Sequence, residues 1–119
     1  MATATQSATV TQRVNGNTIV SIELLGAGHV ATTDGTWFDI HGLREYAIEA
    51  SGITTGTIQL YGSNATTRPV DGTDGVQLGS NITANGLKQF TTPLRWIKAK
   101  VSAWTAGTIK ATLQGNYGT

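Results

Sequence analysis

The sequence predicts an all-β protein, an antiparallel β-sandwich, from three observations. Its 119 residues alternate apolar and polar side chains in short runs, which is the period of a half-buried strand. Turn dipeptides such as Asn15-Gly16, Asp34-Gly35 and Asn85-Gly86 separate these runs. No stretch shows a sustained helical period with capping residues at its ends. The length fits one domain, which we place at 13–119 behind an N-terminal arm at 1–12.

The arm is polar and rich in Ala and Thr, and its first β-branched apolar residue is Val10. We expect residues 1–7 to be flexible or captured by a partner, as chain termini often are. A Thr-rich segment around Val10 has good strand propensity and can add to the exposed edge of a neighbouring sheet. Val10 is therefore a candidate interface residue.

The second half of the chain contains an internal repeat at an offset of 51 residues, from Leu43 to Leu94 and from Gly56 to Gly107. Each unit opens with Leu-Arg and continues as an alternating run. A short segment closed by Gly-Thr and a second alternating run follow. This pattern is typical of a β-hairpin. It predicts two superimposable hairpins, at 43–61 and 94–112.

The side chains that stay apolar in both units predict the core. The opposite face does not repeat, because Glu45 and Glu49 correspond to Trp96 and Lys100. Register is strongly specified only where one face of a strand is buried, so this contrast separates inside from outside. The predicted core positions are Tyr46, Ile48, Ala50, Ile58 and Leu60, with their counterparts Ile97, Ala99, Val101, Ile109 and Ala111.

No residue cluster in the sequence specifies a reaction. The absence of Cys excludes disulfides and thiolate chemistry. His29 and His41 lie near Asp34 and Asp39, but neither histidine stands in a common zinc-ligand spacing. The loop at 71–75 carries two Asp-Gly pairs in a calcium-like spacing, yet it lacks a closing Glu, and Asp-Gly is ordinary turn chemistry. We expect a protein that is not an enzyme and has no metal or cofactor.

The composition also limits the classes of partner that the protein is expected to bind. Charged residues are 13% of the chain and the net charge is +1, whereas soluble domains average about 25% charged residues. This balance does not predict nucleic-acid binding. No apolar run is long enough for a membrane span, and the N-terminus lacks the pattern of a secretion signal. A surface kept soluble by hydroxyls and amides rather than by charge is common in proteins that pack side by side, although it also fits any Thr-rich β protein.

The aromatic residues outside the core are candidate contacts. By strand parity, Trp96, Lys98, Lys100 and Trp104 lie opposite the core face. Exposed aromatics can stack on sugars or anchor protein interfaces. The alternative is that some of them cap the sandwich edges or pack under the 62–75 loop. The candidate interface residues are Val10, Trp37, Tyr61, Trp96, Lys98, Lys100 and Trp104.

Several segments resemble small jelly-roll domains of tailed-bacteriophage virions. Leu60-Tyr61-Gly62-Ser63-Asn64 resembles their strand ending in G-S-N, and the following Leu78-Gly79 resembles their L-G strand. The run 95–101, Arg-Trp-Ile-Lys-Ala-Lys-Val, resembles their aromatic strand, and Gly107-Thr108-Ile109 resembles its closing turn. The resemblance covers about residues 36–115. It implies a β-sandwich of jelly-roll type and a non-enzymatic structural role.

The role implied by this resemblance is that of a capsid decoration or cement protein. Such a protein would bind the junctions between coat subunits on the capsid surface, rather than at the neck or tail, and would self-associate. The resemblance favours a trimer. The alternative is a carbohydrate-binding module, or a receptor-binding or tail domain, that uses exposed aromatics to hold a glycan.

Overall fold

The computed structural model describes residues 2–3, 9–14 and 17–118, and the side chains of 19–25 and 28–116. These residues form strands and connections without a helix, so none of them belongs to a helix that could cross a membrane. The prediction of an all-β, largely antiparallel chain is confirmed. The described strands are β1 Ala2–Thr3, β2 Thr9–Val14, β3 Asn17–His29, β4 Thr33–Asp34, β5 Phe38–Asp39, β6 Glu45–Ser63, β7 Val76–Gln77, β8 Gly86–Phe90 and β9 Trp96–Gly118.

Two long strands, β6 and β9, form the spine of the sheet. They pair antiparallel along their whole shared length, from Glu45 opposite Asn116 to Ser63 opposite Trp96. The other edge of β9 pairs with β3 along its second half and with β4 and β5 along its first half. The other edge of β6 pairs with β8 and then β7. Strand β2 extends the sheet antiparallel to β3, and β1 runs parallel to β4.

Both long strands bend near their middle, and the bend divides one curled sheet into two wings. The β3 wing consists of β2, β3 and β8 with residues 45–51 and 109–118. The β4 wing consists of β1, β4, β5 and β7 with residues 57–63 and 96–101. At the bend the pairing register shifts at several points between Ser51 and Ile58. The observed architecture is a curled sheet, and the jelly-roll sandwich stays a prediction.

The prediction of two hairpins is wrong. Residues 43–61 and 94–112 do not fold back on themselves, because each belongs mainly to one continuous strand that pairs with the other. Gly52 has φ +73° and Gly107 has φ +110°, left-handed conformations that favour glycine. Here the two glycines allow a bulge and a bend in continuous strands. A bulge favours glycine as a tight turn does, so the sequence pattern did not distinguish the two.

The predicted core is confirmed at all ten positions, each of which is buried. Both wings contribute to one apolar cluster enclosed by the curled sheet. Ile22 and Leu24 of β3 join it from one wing and Phe38 from the other. The 78–82 segment also covers this core. Its Ile82 pairs with Ile58 by backbone hydrogen bonds of 2.8 and 2.9 Å.

Strands β1 and β2 belong to the predicted N-terminal arm. Val10 lies opposite Ser21 and Val14 lies opposite Asn17, so β2 continues across the boundary drawn between residues 12 and 13. The side chain of Val10 lies outside the described part of the chain, as do residues 4–8 and the predicted turn residues Asn15-Gly16. The described parts of the arm therefore pair with the sheet of their own chain.

Candidate functional site

Most of the candidate side chains meet on the outer face of the β4 wing. Tyr61 lies opposite Lys98 in the β6–β9 pairing, and Gln59 lies opposite Lys100. Trp37 joins this face from the connection between β4 and β5. The segment 64–75, which follows β6, folds back over these residues. The β4 wing is therefore covered on both faces, by the core on one side and by this loop on the other.

Lys98 is the centre of the arrangement, and its side chain is 0% exposed. Its Nζ lies 2.8 Å from Oδ1 of Asp74 and 3.0 Å from Oδ1 of Asp34, and it donates a 2.9 Å hydrogen bond to the carbonyl of Thr73. The same ammonium lies 5.2 Å from the ring centre of Trp37 and 5.4 Å from that of Tyr61. Two carboxylates and two aromatic faces thus offset the loss of hydration around a buried cation.

Asp74 joins the loop to both lysines of β9. Its second carboxylate oxygen accepts a 3.1 Å hydrogen bond from Nζ of Lys100. The hydrogen bond from Lys98 lowers the pKa of Asp74 below its ordinary value, and Lys100 adds to that effect. In return, the hydrogen bond to Asp74 raises the pKa of Lys100. Both shifts favour the charged forms and so hold the loop against the strand.

Further contacts fix the rest of the loop. The indole Nε1 of Trp37 donates to the carbonyl of Thr73 at 3.2 Å, and that of Trp96 donates to the carbonyl of Ala65 at 3.0 Å. Arg68 donates to the backbone carbonyl of Trp37 at 3.2 Å and pairs with Asp71 at 2.9 Å. These bonds connect both ends of the loop to the sheet beneath it.

The expectation that the aromatics would be exposed is wrong for Trp37 and Trp96, which are 1% and 8% exposed. Strand parity placed Trp96 and Lys98 correctly on the face opposite the core, but that face is buried by the loop. The alternative of packing under the 62–75 loop describes these residues. For Trp104 the parity assignment is wrong: it lies at the bend, half-buried and packed against the core, because the register shifts there interrupt the alternation of the strand. Its Nε1 donates to the carbonyl of Gly107 at 2.9 Å.

The carboxylates considered as metal ligands have other partners. Asp34 and Asp74 contact Lys98, Asp71 pairs with Arg68, and Asp39 accepts a 2.9 Å hydrogen bond from the backbone of His41. Among the described residues, no three His, Asp or Glu side chains are grouped as metal ligands would be.

A second surface, which the sequence did not single out, is an open groove of about 740 Å³. Three connections line it: 41–44 before β6, 64–66 after β6, and 91–95 before β9. The bend of β6 brings Arg44 and Asn64, which flank its two ends, to the same groove. The available sequence signal was the repeated Leu-Arg pair, since Arg44 and Arg95 are equivalent positions of the repeat.

Comparison with protein-family models and with curated proteins gives no match. Among solved structures, the fold is similar to that of the SPBc2 prophage-derived protein YomS, with a TM-score of 0.65. The match covers 94% of this chain and 99% of that one, at 15% sequence identity. At this identity the likeness is one of fold, and it extends over nearly the whole length of both chains.

Proposed function

We propose that this chain is a non-enzymatic structural protein of a phage virion, a decoration or cement protein that binds between coat subunits and self-associates. The observation that carries the proposal is the fold shared with a prophage-derived protein across almost all of both chains. The virion-like segments of the sequence, 60–64 and 95–101, lie in the two spine strands, except that Asn64 follows β6 and Arg95 precedes β9.

The outer face of the β3 wing supports an assembly role. It is a shallow concave and largely exposed surface of small and polar side chains, where Thr112 and Gln114 of β9 lie beside Ala47 and Glu49 of β6. Leu87 of the neighbouring edge strand β8 is 69% exposed. An exposed face bordered by an edge strand suits packing against another subunit, because the edge strand still has backbone groups to pair.

The glycan-binding alternative loses its main support. Trp37 and Trp96 lie beneath the 64–75 loop, where a sugar ring cannot stack on them. Tyr61 and Trp104 are half-buried and stand at different parts of the sheet. The aromatics therefore do not form one open stacking platform among the described residues, and the structural role is the better-supported proposal.

The proposal is tested on particles of the phage whose genome carries the gene. We expect the full chain to form a homo-oligomer, a trimer, by light scattering, and to co-sediment with capsids. A shortened chain starting at Thr11 removes β1 and the first residues of β2, which pair with the sheet of their own chain. It should keep the circular dichroism spectrum of the folded protein and lose association. Leu87→Lys places a charge on the exposed face at the opposite edge, on β8, and should also weaken association. A folded, full-length protein that stays monomeric and does not bind capsids would contradict the proposal.

A further inference from the structure

The groove between the two ends of β6 has fixed walls. Oδ1 of Asn64 accepts a 2.8 Å hydrogen bond from the backbone N–H of Arg95, whose carbonyl accepts one of 2.8 Å from Ile40. The backbone N–H of Arg44 donates to the carbonyl of Asn116 at 2.9 Å. The groove is thus preformed, and the backbone donors of both arginines are already used.

The groove is also positively charged. Arg44 and Arg95 line it, and its lining contains no Asp or Glu. Within the described residues, neither arginine belongs to an ion pair. The guanidinium carbon of Arg95 lies 5.2 Å from the ring centre of Trp96, which restricts its orientation. The Nε of Arg95 is buried and has no hydrogen-bond partner among these residues, although buried donors are nearly always paired.

The repeat explains why two arginines meet here. Leu43 packs against Gly115, where an added Cβ would lie 2.9 Å from a Leu43 methyl group. The equivalent Leu94 packs against Gly62, with a corresponding distance of 2.7 Å. Each leucine anchors its connection to the sheet, so the arginine that follows it is delivered to the same groove from the opposite side.

We propose that this groove binds an extended acidic segment of a protein partner through its carboxylates. A guanidinium group binds a carboxylate through two parallel hydrogen bonds, so the two arginines can each bind one acidic side chain of the same segment. Leu43, Pro93 and Leu94 add apolar wall for the side chains between them. The volume of about 740 Å³ lies within the roughly 300–1,000 Å³ of ligand sites. The partner's identity as a virion protein rests on the proposed function.

The test is fluorescence anisotropy with a labelled heptapeptide that alternates glutamate and leucine. We expect binding that weakens with added salt, and little binding of the same peptide with glutamine in place of glutamate. Arg44→Ser, at an exposed position, should weaken binding by about tenfold or more, because charged hydrogen bonds are lost. Arg95→Gln should do the same from the other wall. Lys110→Ser, which removes one exposed positive charge from β9, is the control and should bind normally.

Equal affinity of the wild-type and both arginine variants for the glutamate peptide would overturn the proposal, as would equal binding of the glutamine peptide or no binding of either. Stronger binding of a uronic-acid oligosaccharide than of the peptide would also overturn it, and would assign the groove to acidic glycans. Capsid co-sedimentation separates this result from the proposed function. Capsid binding without peptide binding rejects only the groove, whereas peptide binding without capsid or self-association rejects only the virion role.

Discussion

At the scale of single residues, Lys98 shows how strand parity can be right while exposure is wrong. The alternation of 96–101 places Lys98 opposite the core, and the structure agrees. The sequence of the strand gives no sign of the loop that covers Lys98. The loop residues that contact it, Thr73 and Asp74, are 25 and 24 residues away along the chain. The alternation of apolar and polar residues predicts which side chains share a face of a strand. It does not predict whether a distant segment buries the second face.

Replacing Lys98 by Met should lower the free energy of unfolding by about 3–5 kcal/mol. The Met side chain keeps the apolar contacts beside Trp37, but it leaves the carboxylate of Asp34, 8% exposed, without its cation. Urea unfolding measures the change. The control is Lys100→Met, which removes a partly exposed pair and should cost about 1 kcal/mol or less.

A double variant separates lost charge pairing from lost packing. Lys98→Met combined with Asp34→Asn removes the uncompensated buried charge, so it should be more stable than Lys98→Met alone. If the single Lys98 variant is as stable as the wild type, or if the double variant gains nothing over it, the buried ion cluster does not hold the loop as described.

At the scale of elements, the strands were predictable but their partners were not. The repeat located both spine strands and all ten core positions, because apolar alternation is a local property. Gly52 and Gly107 mark either a reversal or a bulge, and the choice depends on which distant strand pairs better. Ile48 pairs with Leu113, and its repeat equivalent Ala99 pairs with Leu60. The two units thus pair with each other in a nearly two-fold arrangement.

The bend should be sensitive to Gly52→Ala, which we expect to lower the free energy of unfolding by about 2–5 kcal/mol. Part of this is the left-handed backbone, at φ +73°. The rest is steric, because an added Cβ would collide with the carbonyl oxygen of Thr108 on β9. Gly72→Ala is the matched control, since Gly72 has φ +90° but open space around its Cβ position. Equal losses of stability in the two variants would show that β9 does not approach β6 this closely.

At the scale of the whole molecule, the curled sheet encloses one core that both wings share. Ile48 contributes from the β3 wing and Ile58 from the β4 wing, and each is fully buried in the same cluster. The groove lies where the ends of the curled strands meet, so it exists only when both wings are folded. Its arginines were visible in the sequence as a repeated pair. Their convergence was not, because it follows from the bend and not from local spacing.

A shared core predicts that the two wings unfold in one transition. Ile48→Ala creates a cavity in the β3 wing and should cost about 2–5 kcal/mol. In a Trp104→Phe background, fluorescence reports only Trp37 and Trp96, which both lie in the β4 wing. If unfolding is cooperative, the fluorescence midpoint and the circular dichroism midpoint should shift together. Thr112→Ala, on the exposed face of the β3 wing, should change stability by about 0.5 kcal/mol or less. A fluorescence transition that stays at the midpoint of the background protein, while the dichroism transition moves, would mean that each wing folds around a core of its own.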